Sequence, residues 1–220
     1  MSSSTTTEPS AAMPSRQLLH TLFNSLANSR WTLSRTLRSD NPLDINGDLR
    51  GTATFTALPG PSHRDWLYSE EGELPSGVRP GLPPGMRWTK KYIWRGSETG
   101  RISVWFVKVA PGPEEADYLF HDFDFGDAES AVAGEQTTKE GDSSDDFIQP
   151  PIPPAITTSE GETTVLAARG NHLCINDMYR TAYAFRIRPD TGEVLSWASR
   201  HVVRGPKKDQ DIINRYERSE

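Results

Sequence analysis

Residues 87–95 read RWTKKYIWR, residues 96–100 read GSETG, and residues 101–109 read RISVWFVKV. Two runs rich in aromatic and β-branched residues flank a short polar segment that ends in Gly100. Such runs favour a pleated, half-buried strand. A glycine at the end of the turn supplies the positive φ that a hairpin loop needs. Alternation places Trp88, Lys90, Tyr92 and Trp94 on one face, and Arg87, Thr89, Lys91 and Arg95 on the other. The period is two, so the segment predicts a β-hairpin and excludes a helix here.

The same pattern recurs along the chain. Strands are expected at about 31–39, 49–58, 65–73, 87–95, 101–109, 117–125, 164–175, 177–188, 194–204 and 209–218. Asp190–Thr191–Gly192 repeats the hairpin-loop signal of Glu98–Thr99–Gly100. One segment has a different period. Leu18, Leu19, Leu22, Phe23 and Leu26 recur at helical spacing within 16–29, so a short amphipathic helix opens the fold. No helical period separates the strands, which argues against parallel crossovers. A long antiparallel meander removes its open edges by closing. The expected fold is all-β: an antiparallel meander closing into a lipocalin-like (calycin-type) β-barrel of about 8–10 strands, with one short N-terminal helix.

The chain has 220 residues, 35% of them hydrophobic, yet it carries 6 Trp, 6 Tyr and 8 Phe. The polar excess is therefore concentrated. Residues 1–15 are Ser/Thr/Pro-rich and read as a disordered tail. Residues 126–162 hold nine acids and one base, a net charge of −9 + 1 = −8, together with the run Pro150–Pro151–Ile152–Pro153–Pro154. They read as an acidic disordered insertion in a single barrel domain spanning 16–218. Ser143–Ser144–Asp145–Asp146 within it resembles an acidophilic kinase site; a solvated linker is the plainer reading. An acidic protein-docking segment is a third idea for function. The whole chain has charge −6, so the remainder sums to −6 + 8 = +2. A near-neutral aromatic body fits a small organic ligand better than nucleic acid. No apolar run approaches the ~18 residues of a membrane span. One cysteine excludes an internal disulfide framework. No secretory or transit pattern is evident, and a cytoplasmic location is expected.

Several polar residues share faces with aromatic ones. Glu70 follows Trp66 and Tyr68 on one face. It is either a rim carboxylate paired to an arginine or an inward acid with a raised pKa. His121 shares a face with Leu119, Phe123 and Phe125, with Phe120 opposite. It is either a satisfied core histidine or a general base. Leu195, Trp197, Ser199, His201 and Val203 share a face. The densest cluster is 171–180, with His172, Cys174, Asp177 and Tyr179. All four would point inward if a bulge near Asn176 shifts the register. A soft metal site at His121, His172 and Cys174 and a Cys–His nucleophilic pair are the weaker readings. No metal is assigned. Pro206–Lys207–Lys208 reads as a charged turn or a phosphate patch. Aromatics on both faces of several strands call for a helix or loops over the outer wall, or for homodimerisation through it.

Asn28–Ser29–Arg30–Trp31 after the helix resembles the opening of lipocalin-like barrels, although Ser29 stands where those barrels have glycine. The resemblance implies an arginine of the last strand, Arg215 or Arg218, stacked on Trp31. The chain as a whole resembles the uncharacterised domain of unknown function 6314. The resembling residues are Trp31; Gly51–Thr52–Ala53–Thr54–Phe55; Leu67–Tyr68–Ser69–Glu70–Glu71–Gly72; Tyr92–Ile93–Trp94–Arg95; Phe120–His121–Asp122–Phe123; His172–Leu173–Cys174 with Asp177–Met178–Tyr179; Trp197; and Val203 to Asp209 with Tyr216. This resemblance implies one compact β domain and carries no reaction.

Two functions are expected from these residues. The first is a cofactor-independent enzyme acting on a small, largely apolar molecule inside the barrel by isomerisation, cyclisation or elimination. His121 or His172 would be the base, Glu70 or Asp177 the acid or orienting group, and Tyr179 a donor to an oxyanion. Tyr68, Trp88, Tyr92, Trp94, Phe123, Cys174 and Trp197 would line the ligand. The alternative is a non-catalytic small-molecule-binding or carrier barrel with aromatic walls that also draw on Trp66 and Trp105.

Overall fold

The computed structural model describes residues 15–42, 44–60, 64–75, 85–125, 147–156, 161–206 and 208–219. One helix, α1 (Ser15–Ala27), precedes ten strands. The strands are β1 (Arg30–Ser39), β2 (Gly47–Ala57), β3 (Asp65–Glu73), β4 (Arg87–Gly96), β5 (Ile102–Val107), β6 (Ala116–Phe123), β7 (Thr164–Cys174), β8 (Asp177–Ile187), β9 (Val194–Gly205) and β10 (Lys208–Arg218). Every expected strand is present, and no end moves by more than two residues. Gly100 (φ 91°) and Gly192 (φ 70°) supply the positive φ of the two turns that carry them.

The sheet runs β6-β5-β4-β3-β2-β1-β10-β9-β8-β7, antiparallel throughout. It is an up-and-down meander in which the first strand pairs with the last, from Trp31↔Arg218 to Ser39↔Gln210. The two edge strands, β6 and β7, are joined in sequence by the acidic segment. They meet at the bridge Asp124↔Arg169, where each residue's amide donates to the other's carbonyl at 3.1 and 2.9 Å. A Cβ on Gly170 would collide with the Asp122 carbonyl, so glycine there permits the close approach. The result is a nearly closed ten-stranded barrel.

Helix α1 fills one end of it and does not lie along the outer wall. Its stripe Leu19, Leu22, Phe23 and Leu26 is buried. The Phe23 ring stacks on Trp66 at 3.8 Å and meets Trp94 edge-on. Trp31 donates its indole N–H to the Leu26 carbonyl, and Ser25 accepts from the Val194 amide. Only two residues link α1 to β1, so the stripe folds back over the strand ends. Arg218 lies 6.0 Å over the Trp31 ring and also bonds Glu193 and the Val194 carbonyl. This pair buttresses the same end.

Inward side chains alternate as the period requires. Trp197 stacks on Tyr216 at 3.5 Å, and Phe123 on Tyr183 at 4.1 Å. Two local departures change the expected faces. Val104 pairs with His121 but Trp105 pairs with Leu119, so Phe120 is an extra residue in β6. This bulge brings Phe120 to the same side as His121, whereas strict alternation puts it opposite. The turn between β7 and β8 carries no bulge near Asn176. It is a two-residue hairpin, with Cys174 opposite Asp177 and His172 opposite Tyr179. Opposed residues share a face, so the reversal alone aligns all four. Ile175 in this turn adopts φ 57°, uncommon for a β-branched residue.

The outer wall is partly covered by chain. Residues 147–156 lie against β8 and β9: Ser196 donates to the Pro154 carbonyl at 2.6 Å, and Arg186 donates to the carbonyls of Pro153 and Pro154. Residues 126–146, with the Ser143–Ser144 motif, lie outside the described residues, as do 1–14 and Lys207. None of the described helices is long and apolar enough to cross a membrane.

Candidate functional site at the open end of the barrel

The C-terminal ends of β1, β3, β5, β7 and β9 gather at the end opposite α1. Between them lies a cavity of about 200 Å³. Its wall combines aromatic rings with charged and amide groups from eight strands.

The floor holds a buried ion pair. Arg35 follows Trp31 and Leu33 at alternate positions of β1 and so points inward. It donates to both oxygens of Glu70 at 2.9 Å. Tyr68 donates to Glu70 Oε2 at 2.6 Å, and therefore accepts from Tyr216 at 2.9 Å. Burial raises the phenols of Tyr68 and Tyr216 well above their ordinary value, and the Glu70 charge raises them further, so both remain neutral donors. Burial alone would lower the Arg35 guanidinium; the adjoining Glu70 carboxylate reverses this and raises it. Two charges out of water hold only when matched and hydrogen-bonded, and here Glu70 takes three hydrogen bonds.

A second chain of bonds starts from the same arginine. Arg35 Nε donates to Asn214 Oδ1 at 2.6 Å. Arginine has no acceptor, so the Asn214 amide is fixed and its NH₂ donates to Ser199 Oγ at 2.9 Å. The Ser199 hydroxyl also meets His201 Nε2 at 3.2 Å. Burial pushes His201 down to about 3, aided by Arg35 and Lys90, so it is neutral. Its Nδ1 shares a hydrogen bond with Thr181 Oγ1 at 2.9 Å. Thr181 bonds the Tyr183 hydroxyl, which meets His121 Nε2 at 2.8 Å. His121 is also held neutral, well below its ordinary value, by burial and then by His201 and His172. These bonds link Arg35 to His121 through Asn214, Ser199, His201, Thr181 and Tyr183, and they leave His121 Nδ1 outside the chain. That nitrogen is buried without a partner, as is Trp197 Nε1.

The rim carries two lysines. Lys208 bonds Asp177 and the Tyr179 hydroxyl, each at 2.8 Å, and these bonds raise its pKa. Lys90 is drawn below its ordinary value by desolvation in the cleft and then by Arg35.

Of the residues singled out in the sequence, Glu70, His121 and Tyr179 line the cavity with Tyr68, Tyr92, Trp94 and Trp197. His172 stands behind Tyr179, its ring centroid 6.4 Å away, and Asp177 is tied to Lys208. Cys174 lies at the hairpin tip, half-buried. Phe123 packs in the core beneath the wall, stacked on Tyr183. Trp88 lies beside Arg35, 5.5 Å from its guanidinium, packed where Gly51 and Gly72 have no side chain. Trp66 belongs to the capped end, and Trp105 lies outside under Arg95. Arg35, Lys90, Tyr183, Ser199, His201 and Asn214 also line the cavity. Their alternation with Leu33, Tyr92, Trp197 and Tyr216 is the signal that marks them. Among the described residues, no group of three His, Cys, Asp or Glu side chains has the geometry to hold a metal ion.

A nearly closed antiparallel barrel, plugged by a helix at one end and opening on a polar-lined cavity at the other, defines a cavity-bearing β-barrel. The chain belongs to the Family of unknown function (DUF6314), whose model matches residues 27–142 and 155–218. The interval 143–154 between the two matches falls within the acidic segment. No curated protein matches the chain.

Proposed function

We propose that the open end of the barrel binds one small organic molecule, as a receptacle without chemistry of its own. The observation that carries this reading is the aromatic-walled cavity of about 200 Å³. A dry cavity of about 150 Å³ accommodates a benzene molecule, so the expected ligand is a single ring with short substituents. The polar groups on the wall give orientation, and the rings give affinity.

The saturation of the wall favours binding over acid–base turnover. A general base works best with a pKa near the operating pH. His201 is pushed down to about 3 and His121 lies well below its ordinary value. Glu70 already accepts three hydrogen bonds. One observation favours an enzyme as the second reading: a neutral imidazole, His121, borders the cavity beside the Tyr183 hydroxyl, an arrangement suited to proton transfer in an isomerisation or elimination.

Native mass spectrometry of the full chain incubated with a metabolite extract tests the first reading. One adduct of single-ring mass is expected, and it should vanish in Ile212→Trp, which fills the mouth. Undiminished adduct in that variant would place the ligand elsewhere. Conversion of the captured molecule to a product would replace the receptacle with the enzyme.

A further inference from the structure

Among the described residues, the charges that line the cavity are matched with one exception. Arg35 and Glu70 neutralise each other through two parallel bonds at 2.9 Å. Lys208 and Asp177 pair at the rim. Both cavity histidines are neutral. Lys90 is left. It sits directly across from Glu70 in the β3–β4 register, on the inward face with Tyr92 and Trp94. Glu70 is already taken by Arg35 and Tyr68. Among the described residues Lys90 makes no ion pair and no side-chain hydrogen bond. The residue is exposed and borders the cavity.

Among the described residues lining the cavity, the buried side-chain polar atoms without a partner are His121 Nδ1 and Trp197 Nε1. The indole can only donate. Both nitrogens are closed off from solvent, so the contact open to an occupant is the Lys90 ammonium, a cation and a donor.

We infer that the occupant is an organic monoanion, a ring bearing a carboxylate or an equivalently placed enolate or phenolate oxygen, with that anionic oxygen on Lys90. The inference rests on the receptacle reading and narrows its ligand class. A larger polyanion such as a nucleotide does not fit a cavity of about 200 Å³.

The probes are benzoate, phenylacetate and 4-hydroxybenzoate against their methyl esters, titrated into the full chain by calorimetry and ligand-observed NMR. The acids should bind tighter than the esters by about tenfold or more, the scale of a partly desolvated charge contact. Lys90→Gln should abolish that preference, and Lys90→Arg should retain it. Lys91→Gln, on the outer face and paired with Glu114, should change nothing. Thermal melts establish that each variant is folded. Equal binding of acids and esters would overturn the monoanion while leaving the receptacle intact. Lys90→Gln binding the acids as the native chain does would overturn the role of Lys90. If no probe of either kind binds the native chain, the receptacle reading falls with the inference.

Discussion

At the helix-capped end, the barrel interior is filled by rings and aliphatic side chains. At the open end, the same strands carry charges, amides and hydroxyls. Along β1 the change occurs within two residues, from Leu33 to Arg35; along β3 it occurs from Tyr68 to Glu70. Both halves are buried, so solvent exposure does not explain the difference. A small domain gains stability most simply from apolar packing. Buried ion pairs and hydrogen-bond chains are poor substitutes for it. The capped half is therefore where the fold is secured, and the open half carries polar groups whose use lies in recognition.

Substitutions can separate the two halves. Phe23→Ala removes the ring on Trp66 and should lower unfolding free energy by about 3–5 kcal/mol in urea titrations, with ligand affinity retained at low temperature. If affinity fell with stability, the two ends would be one unit. Glu70→Leu strands the Arg35 cation and should lower stability by a similar ~3–5 kcal/mol. Arg35→Met combined with Glu70→Leu should restore most of that stability while altering binding. A double variant as unstable as the single one would mean that the pair stabilises the fold.

The histidines give a smaller, pH-dependent effect. Their folded pKa values are depressed below the ordinary 6.5, His201 to about 3. Below pH 6.5 the unfolded chain takes up protons that the folded barrel refuses. The stability from the neutral imidazoles is therefore complete above pH 6.5 and is lost as pH falls through each folded pKa, about 3 for His201. Each should contribute a slope of up to ~1.4 kcal/mol per pH unit in that window. Comparison of His201→Gln with the native chain in urea at pH 7 and pH 4.5 isolates the slope. Equal slopes would show that His201 titrates normally. The smallest effect is expected at the rim. Lys208→Gln breaks an exposed pair with Asp177 and should change stability by less than ~1 kcal/mol.

Most of the architecture was legible because it rests on local signals. The period of two, the turn glycines and the 16–29 stripe each act within a few residues. The site was legible in part. Glu70 and His121 stood out as polar residues among aromatic ones, and the first met the arginine that one reading of it required. The identity of that partner was not legible, because Arg35 and Glu70 are brought together by the pairing of β1, β2 and β3. Ser199 and His201 lay on the Trp197 face in plain sight. Their role emerges only from Asn214, a strand away. The 171–180 cluster drew attention for its density. It lies at a hairpin tip, where His172, Asp177 and Cys174 sit at the rim. The Phe120 bulge was hidden because one extra residue leaves no mark in the alternation.

The central claim is that the open end holds a ligand while the capped end holds the fold. Its most direct measurement is the set of indole N–H resonances of the full ¹⁵N-labelled chain during a benzoate titration. Trp197 and Trp94 should shift saturably while Trp31 and Trp66 stay still. Shifts led by Trp31 and Trp66, with Trp197 and Trp94 unmoved, would contradict it.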